Sequence, residues 1–149
     1  MKFSTKLGNL FSVDDNYSLA HCISSDFVLG KGIALEFNRL FNSKNYLNSS
    51  KSDLKGLYPN CVRQKVVGRN VYHLVTKNKY YMKPTYETLK ESLIKMKEII
   101  IENNEKKIAM PKIGCGLDQL EWSKVREIIC EVFNDVDVEI VIFLNGVEQ

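Results

Sequence analysis

Apolar residues recur in two rhythms along this chain. Ser18-Leu19-Ala20-His21-Cys22-Ile23-Ser24, Ile108-Ala109-Met110 and the stretch from Val138 to Leu144 are short and mostly apolar, the signature of inner strands covered on both faces. Elsewhere apolar positions return every three or four residues: Ile33, Phe37 and Leu40; Tyr86, Leu89, Leu93, Met96 and Ile100; Trp122, Val125, Ile129 and Val132. Those spacings predict amphipathic helices. Thr85, after Lys83-Pro84, is the expected N-cap of the middle helix, and Asn103-Asn104 its end.

The remaining segments fit between these. Lys2 to Leu7 alternates loosely and runs into Gly8-Asn9-Leu10-Phe11, a first strand ending in a turn. Residues Asn42 to Asn60 are rich in Ser, Asn and Lys and read as a short helix with flanking loops. Cys61 to Val67 and Asn70 to Lys77 are β-rich runs on either side of Gly68-Arg69, a predicted hairpin. Strands interleaved with helices, with one hairpin among them, predict an α/β fold whose mixed sheet carries helices on both sides. Residues 1–149 contain no repeat, low-complexity tract or linker, so one domain is expected.

Composition narrows the class without naming a chemistry. With 149 residues, 44% of them hydrophobic and 26% charged, the chain can bury an ordinary core without a metal or disulfide staple. A net charge of +3 permits an anionic ligand and excludes little. Cys22, Cys61, Cys115 and Cys130 form no CxxC pair and no zinc spacing, so reduced thiols, no metal and no cofactor are expected. Nothing after Met1-Lys2 has signal-peptide character and no apolar run could span a bilayer. The expectation is a soluble cytoplasmic protein with no membrane partner. It is also expected to be monomeric, because the predicted core leaves no apolar helix face open.

Two glycine-bearing loops stand at predicted strand ends. Met110-Pro111-Lys112-Ile113-Gly114-Cys115-Gly116-Leu117-Asp118 carries a strand into a Gly-x-Gly turn and an acid. Glycine accepts positive φ and lets backbone N–H groups approach a ligand, so this is either an anion cradle or a tight turn before the next helix. Gly30-Lys31-Gly32-Ile33-Ala34 repeats the order of strand, glycine turn and helix, and a helix N-terminus favours a phosphate. It is neither of the two commonest phosphate motifs. GxGxxG would need glycine at Leu35, and a Walker A loop would need GxxxxGK before Ser or Thr. Ligands of open α/β sheets bind beyond the strands' carboxyl ends. Two cradles on one cleft suit a diphosphate.

Lys77 and Asp118 each fall at the carboxyl end of a predicted strand. Facing one cleft, an amine and a carboxylate suit nucleophilic and acid-base work at a sugar carbon; otherwise they form an ion pair or stand apart on the surface. An ordinary lysine is cationic at neutral pH, so attack requires that its proton be taken. His21 reads as a strand residue with a local hydrogen bond, and Met96 and Trp122 as core. Lys79, Tyr80, Tyr81 and Lys83 form a basic and aromatic edge that is either a solvated loop or a stacking surface for a base.

Gly8-Asn9-Leu10-Phe11, Leu19 to Ser24, Gly30-Lys31-Gly32-Ile33-Ala34, Thr76-Lys77, Lys83-Pro84-Thr85-Tyr86-Glu87 and the run from Met110 to Asp118 together resemble the macrodomain family. The branch resembled is that of the terminal ADP-ribose protein glycohydrolase, the ALC1-like class. The resemblance covers nearly the whole chain in order. It implies a three-layer α/β/α macrodomain with a mixed central sheet, and an ADP-ribosyl hydrolase acting on ADP-ribose attached to protein, to nucleic-acid bases or as O-acetyl-ADP-ribose.

The same resemblance implies residue roles. Lys77 attacks the anomeric carbon of the distal ribose to give a lysyl-ADP-ribose intermediate, and Asp118 accepts the proton and helps resolve it. Gly30, Lys31, Gly32, Ile33 and Ala34, with Lys112, Ile113, Gly114, Cys115, Gly116 and Leu117, hold the diphosphate and distal ribose. Leu10 and Ser24 contact the adenosine and ribose side, and Asn145 is a further contact. One departure stands out: many macrodomains carry aspartate where this chain has Asn9, so the partner of the adenine amino group lacks a charge here. The alternatives are a module that binds ADP-ribose without turnover and an antitoxin-like enzyme acting on ADP-ribosylated DNA.

Overall fold

A computed structural model describes residues 1–144 and shows six strands and four α-helices. The strands are β1 (Lys2–Lys6), β2 (Ser18–Ser24), β3 (Asn60–Val66), β4 (Arg69–Lys77), β5 (Lys107–Pro111) and β6 (Glu139–Phe143). The helices are α1 (Gly32–Phe41), α2 (Ser43–Ser50), α3 (Tyr86–Glu102) and α4 (Trp122–Phe133). The sheet order is β1-β6-β5-β2-β4-β3. Every neighbouring pair is parallel except β3 with β4, whose antiparallel hairpin puts β3 on an edge. The carboxyl ends of five strands therefore share one rim.

Period-two alternation sorts the strand side chains between two helical layers. Ala20, Cys22, Tyr72, Leu74, Ile108, Met110, Ile140 and Ile142 face α3 and α4, in a core with Leu89, Leu93, Met96, Val125 and Ile129. Leu19, Val71, Ala109 and Val141 face α1 through Ile33 and Phe37, while Ile23, Val62 and Val75 meet Leu47 of α2. All seven residues of β2 are buried, as its nearly continuous apolar run requires.

Local chemistry fixes the helix ends near the rim. Thr85 caps α3 in a reciprocal capping box with Thr88, accepting from the Thr88 N–H at 3.1 Å. One expectation fails. Leu40 is exposed; Phe41, packed against Phe11 and Phe37, takes the inward place in the last turn of α1. On α3, Ile94 and Ile101 are exposed singly, with Lys97 and Glu98 between them on that side of the helix. No described helix is long and apolar enough to cross a membrane.

Candidate active site

Lys77 is the last residue of β4, and the ladder beside it is irregular. Ile23 of β2 pairs with Val75, but Ser24 pairs with Lys77, so Thr76 is an extra residue and the strand end bends. The chain after β2 then locks the residues beyond the lysine. Ser25 N donates to Lys77 O at 2.9 Å, Ser25 Oγ donates to Asn78 O at 2.7 Å, and Tyr80 N donates to Asp26 Oδ2 at 2.9 Å. Phe27 and Leu29 take φ of 56° and 46° in this loop, a left-handed conformation unusual for bulky side chains and held by burying both.

Asp118 arrives from the other side. Beyond β5 the chain turns through Gly114, at φ 73°, where an added Cβ would lie 3.0 Å from Leu120 Cδ1. The turn is closed by hydrogen bonds from Cys115 N to Lys112 O, Gln119 N to Gly116 O and Leu120 N to Gly114 O. Its visible role is to deliver Leu117 and Asp118 to the rim. Lys77 Nζ donates to Asp118 Oδ1 at 2.6 Å, with side-chain exposures of 13% and 8%. A charge pair this enclosed holds because each partner satisfies the other; removing one strands a buried charge.

The pair stands in a cavity of about 480 Å³, within the usual range for small-molecule sites. Ser24, Gly30, Lys31, Ile33 and Ala34 line one wall, and Leu117 lies with the pair on the other. Lys31 is the N-cap residue of α1 and makes no side-chain cap, so the helix meets the cavity with its backbone N–H end. Tyr80, Tyr81 and Lys83 stand at the mouth, the tyrosines exposed and 5.3 Å apart edge to face.

Several expected contacts lie off this lining. Leu10 is buried in the core with Ile33 and Phe37, because the 3-10 turn Leu10–Ser12 points it inward. Asn9 uses its Oδ1 to accept from Phe11 N at 3.0 Å, capping that turn. Gly32 and Lys112, Ile113, Gly114, Cys115 and Gly116 are likewise outside the lining. Asn145 lies outside the described residues.

Cys22 lines the cavity and was not anticipated, although its place two residues before Ser24 on a fully buried strand was a signal. Burial above all, and then the Asp118 carboxylate, pushes its thiol well up, so it stays protonated and is no rival nucleophile. His21 faces away from the cavity, and its hydrogen bond is not local. Its Nε2 lies 2.7 Å from His73 Nδ1, across strands β2 and β4, with its ring stacked on Phe37. His73 Nε2 lies 2.9 Å from Gln64 Oε1, which can only accept, so His73 donates there and His21 donates to His73. Burial lowers both imidazoles, His73 to about 3, and keeps them neutral. Among the described residues no group of three or more His, Cys, Asp or Glu is placed to hold a metal ion.

Residues 20–129 match the family model described as Macro domain. The human and bovine proteins named ADP-ribose glycohydrolase OARD1 are each 40% identical to this chain over 137 residues, which cover 91% of it and 87% of theirs. Among solved structures, the macrodomain of Mycobacterium tuberculosis DarG is similar with a TM-score of 0.88 at 21% identity, covering 97% of this chain and 98% of that one. The macrodomain of Thermus aquaticus DarG gives 0.84 at 22% identity, covering 96% and 98%. At such identities the likeness to solved structures speaks to the fold.

Proposed function

This chain belongs to the macrodomain family, and from that membership we propose that it is an ADP-ribose glycohydrolase, releasing ADP-ribose from modified targets. The observation that carries the reading is the Lys77–Asp118 pair, 2.6 Å apart inside the cavity where α1 begins. The names of the human and bovine relatives support the same activity.

The α1 N-terminus and the loop from Gly30 to Ala34 take the diphosphate, and Ser24 and Leu117 border the ribose. Asp118 takes a proton from Lys77, and the freed Nζ lone pair attacks the anomeric carbon of the distal ribose. The bond from that carbon to the target's oxygen breaks, and the target leaves with the electron pair and takes the proton from Asp118. Asp118, ionised again, takes a proton from the water that attacks the same carbon. The carbon–nitrogen bond breaks with its electron pair returning to Nζ, free ADP-ribose departs, and the proton on Asp118 passes back to the lysine. Enclosing the pair beneath the sugar excludes bulk water and so favours exchange of the proton between the two partners.

Protein carboxylates are the first targets this reading takes. A nucleic-acid base is a second, supported by Tyr80 and Tyr81, whose exposed rings flank the mouth beside Lys83. The same reading treats the protein as a cytoplasmic monomer in which Cys22, Cys61, Cys115 and Cys130 are not joined in disulfides. The deciding assay follows ADP-ribose release from an ADP-ribosylated glutamate peptide and from ADP-ribosylated single-stranded DNA, with wild type and Lys77→Ala. Release by wild type alone, with ADP-ribose binding kept in both, supports hydrolysis. Binding without release from either substrate makes the protein a reader.

A further inference from the structure

The helix α3 and the residues leading into it are hydrogen-bonded to the backbone near Lys77 and near Asp118. On the lysine side, Ser92 is fully buried in α3, and its Oγ donates to Val75 O at 2.8 Å. Val75 is the last regularly paired residue before the ladder slips at Thr76 and Lys77. The Ser92 hydrogen bond therefore ties β4 to α3 at the point where the ladder becomes irregular. The Ser92 hydroxyl also lies 2.9 Å from Thr88 O, a carbonyl already within the helix, so its proton serves Val75 best.

On the aspartate side, Lys83, three residues ahead of α3, and Tyr86, the first residue of α3, hold the segment that carries Asp118. Lys83 Nζ donates to the carbonyl of Leu117, the residue immediately before Asp118. Tyr86 Oη accepts from Glu121 N at 3.0 Å, three residues after it. Asp118 thus sits between two ties that both lead back to one helix end. That end is itself fixed by the Thr85–Thr88 capping box and by buried Pro84.

We propose that α3, with the residues leading into it, sets the distance between the two reacting groups. Ser92 is a positioning residue for Lys77, and Lys83 and Tyr86 are positioning residues for Asp118. A lysine at a strand end and an aspartate on a loop would otherwise sample a range of separations, and catalysis by oriented groups falls steeply with displacements near one ångström. Routing both constraints through one rigid element makes their errors move together. The inference rests on the hydrolase reading for its kinetic consequence, and has a structural consequence that does not.

The test compares wild type with Ser92→Ala, Tyr86→Phe and Lys83→Met. Each is expected to lower kcat by about tenfold. In Ser92→Ala and Tyr86→Phe, whose side chains lie off the cavity lining, the Kd for free ADP-ribose is expected to stay within about twofold. Lys83→Arg, which keeps a donor, is expected to recover most of the loss in kcat. A kcat equal to that of wild type in all three, or loss of kcat and affinity in proportion in Ser92→Ala and Tyr86→Phe, overturns the proposal. Should wild type itself release no ADP-ribose, the hydrolase reading fails, and amide hydrogen exchange still decides this one. Residues 77–80 in Ser92→Ala, and 116–121 in the other two, are expected to exchange about tenfold faster while β5 and β6 are unchanged. Unaltered exchange in those segments counts against α3.

Discussion

Lys77 Nζ and Asp118 Oδ1 are 2.6 Å apart although 41 positions separate the residues in the chain. One ends strand β4 and the other lies beyond β5, with β2 between those strands. The parallel sheet brings their carboxyl ends to one rim, and the loops close the remaining gap.

In the proposed mechanism, loss of the Asp118 carboxylate removes the proton acceptor but leaves the amine. Asp118→Ala is expected to lower turnover at least about 100-fold, within the range for a missing acid-base group. Intact-mass measurement after mixing with substrate should show a persistent adduct on Lys77, because resolution is slowed as well. Turnover near the wild-type rate would remove Asp118 from the chemistry.

Gly114 combines a φ of 73° with a Cβ position only 3.0 Å from Leu120 Cδ1. Gly114→Ala is therefore strained and crowded at once, and about 1 to 3 kcal/mol of stability should be lost in urea unfolding. Because the turn delivers Asp118, kcat should fall as well. An alanine variant with wild-type stability would show that Leu120 and the turn yield freely.

The neutral histidine pair makes stability depend on pH. Both imidazoles have folded pKa values below the unfolded value of about 6.5, His73 at about 3, so the unfolded chain binds more protons below pH 6.5. Their contribution is complete above that pH and is lost as pH falls from 6.5 toward 3, each by up to about 1.4 kcal/mol per pH unit. Urea unfolding at pH 7.5, 6 and 5 should give a shallower loss for His73→Phe than for wild type. Parallel curves would mean that the pair charges within the fold.

Asn9 caps the 3-10 turn with its Oδ1, the atom that the proposed adenine contact would also need. Asn9→Asp keeps the cap and adds a charge, so calorimetry should show a several-fold gain for ADP-ribose over its inosine counterpart. Asn9→Ala loses the cap, at about 1 kcal/mol. Equal selectivity in Asn9→Asp and wild type would place adenine recognition elsewhere.

Much of this was legible because it is local. The run from Ser18 to Ser24 is β2 with those limits, and Thr85 and Asn103 bound α3 as capping chemistry demands. Leu10, Leu40 and the histidines were not, since each depends on what lies across space. Leu10 could meet the cavity or the core until the turn after Asn9 fixed its direction. His21 had no visible partner in its neighbourhood, because that partner is 52 positions away. Gly114-x-Gly116 was legible as a glycine turn, but the packing of Leu120 against Gly114, which a Cβ there would crowd, was not.

Since β1 runs parallel to β6 and β6 to β5, the chain start at Met1 stands at the far end of the sheet from Pro111 and the cavity. A strand of that length separates the two ends by about 16 Å. A fluorescent reporter or affinity tag attached ahead of Met1 would project from the opposite pole, leaving the mouth open to a bulky modified protein. Fusions of that kind are the natural format for catching such targets from solution.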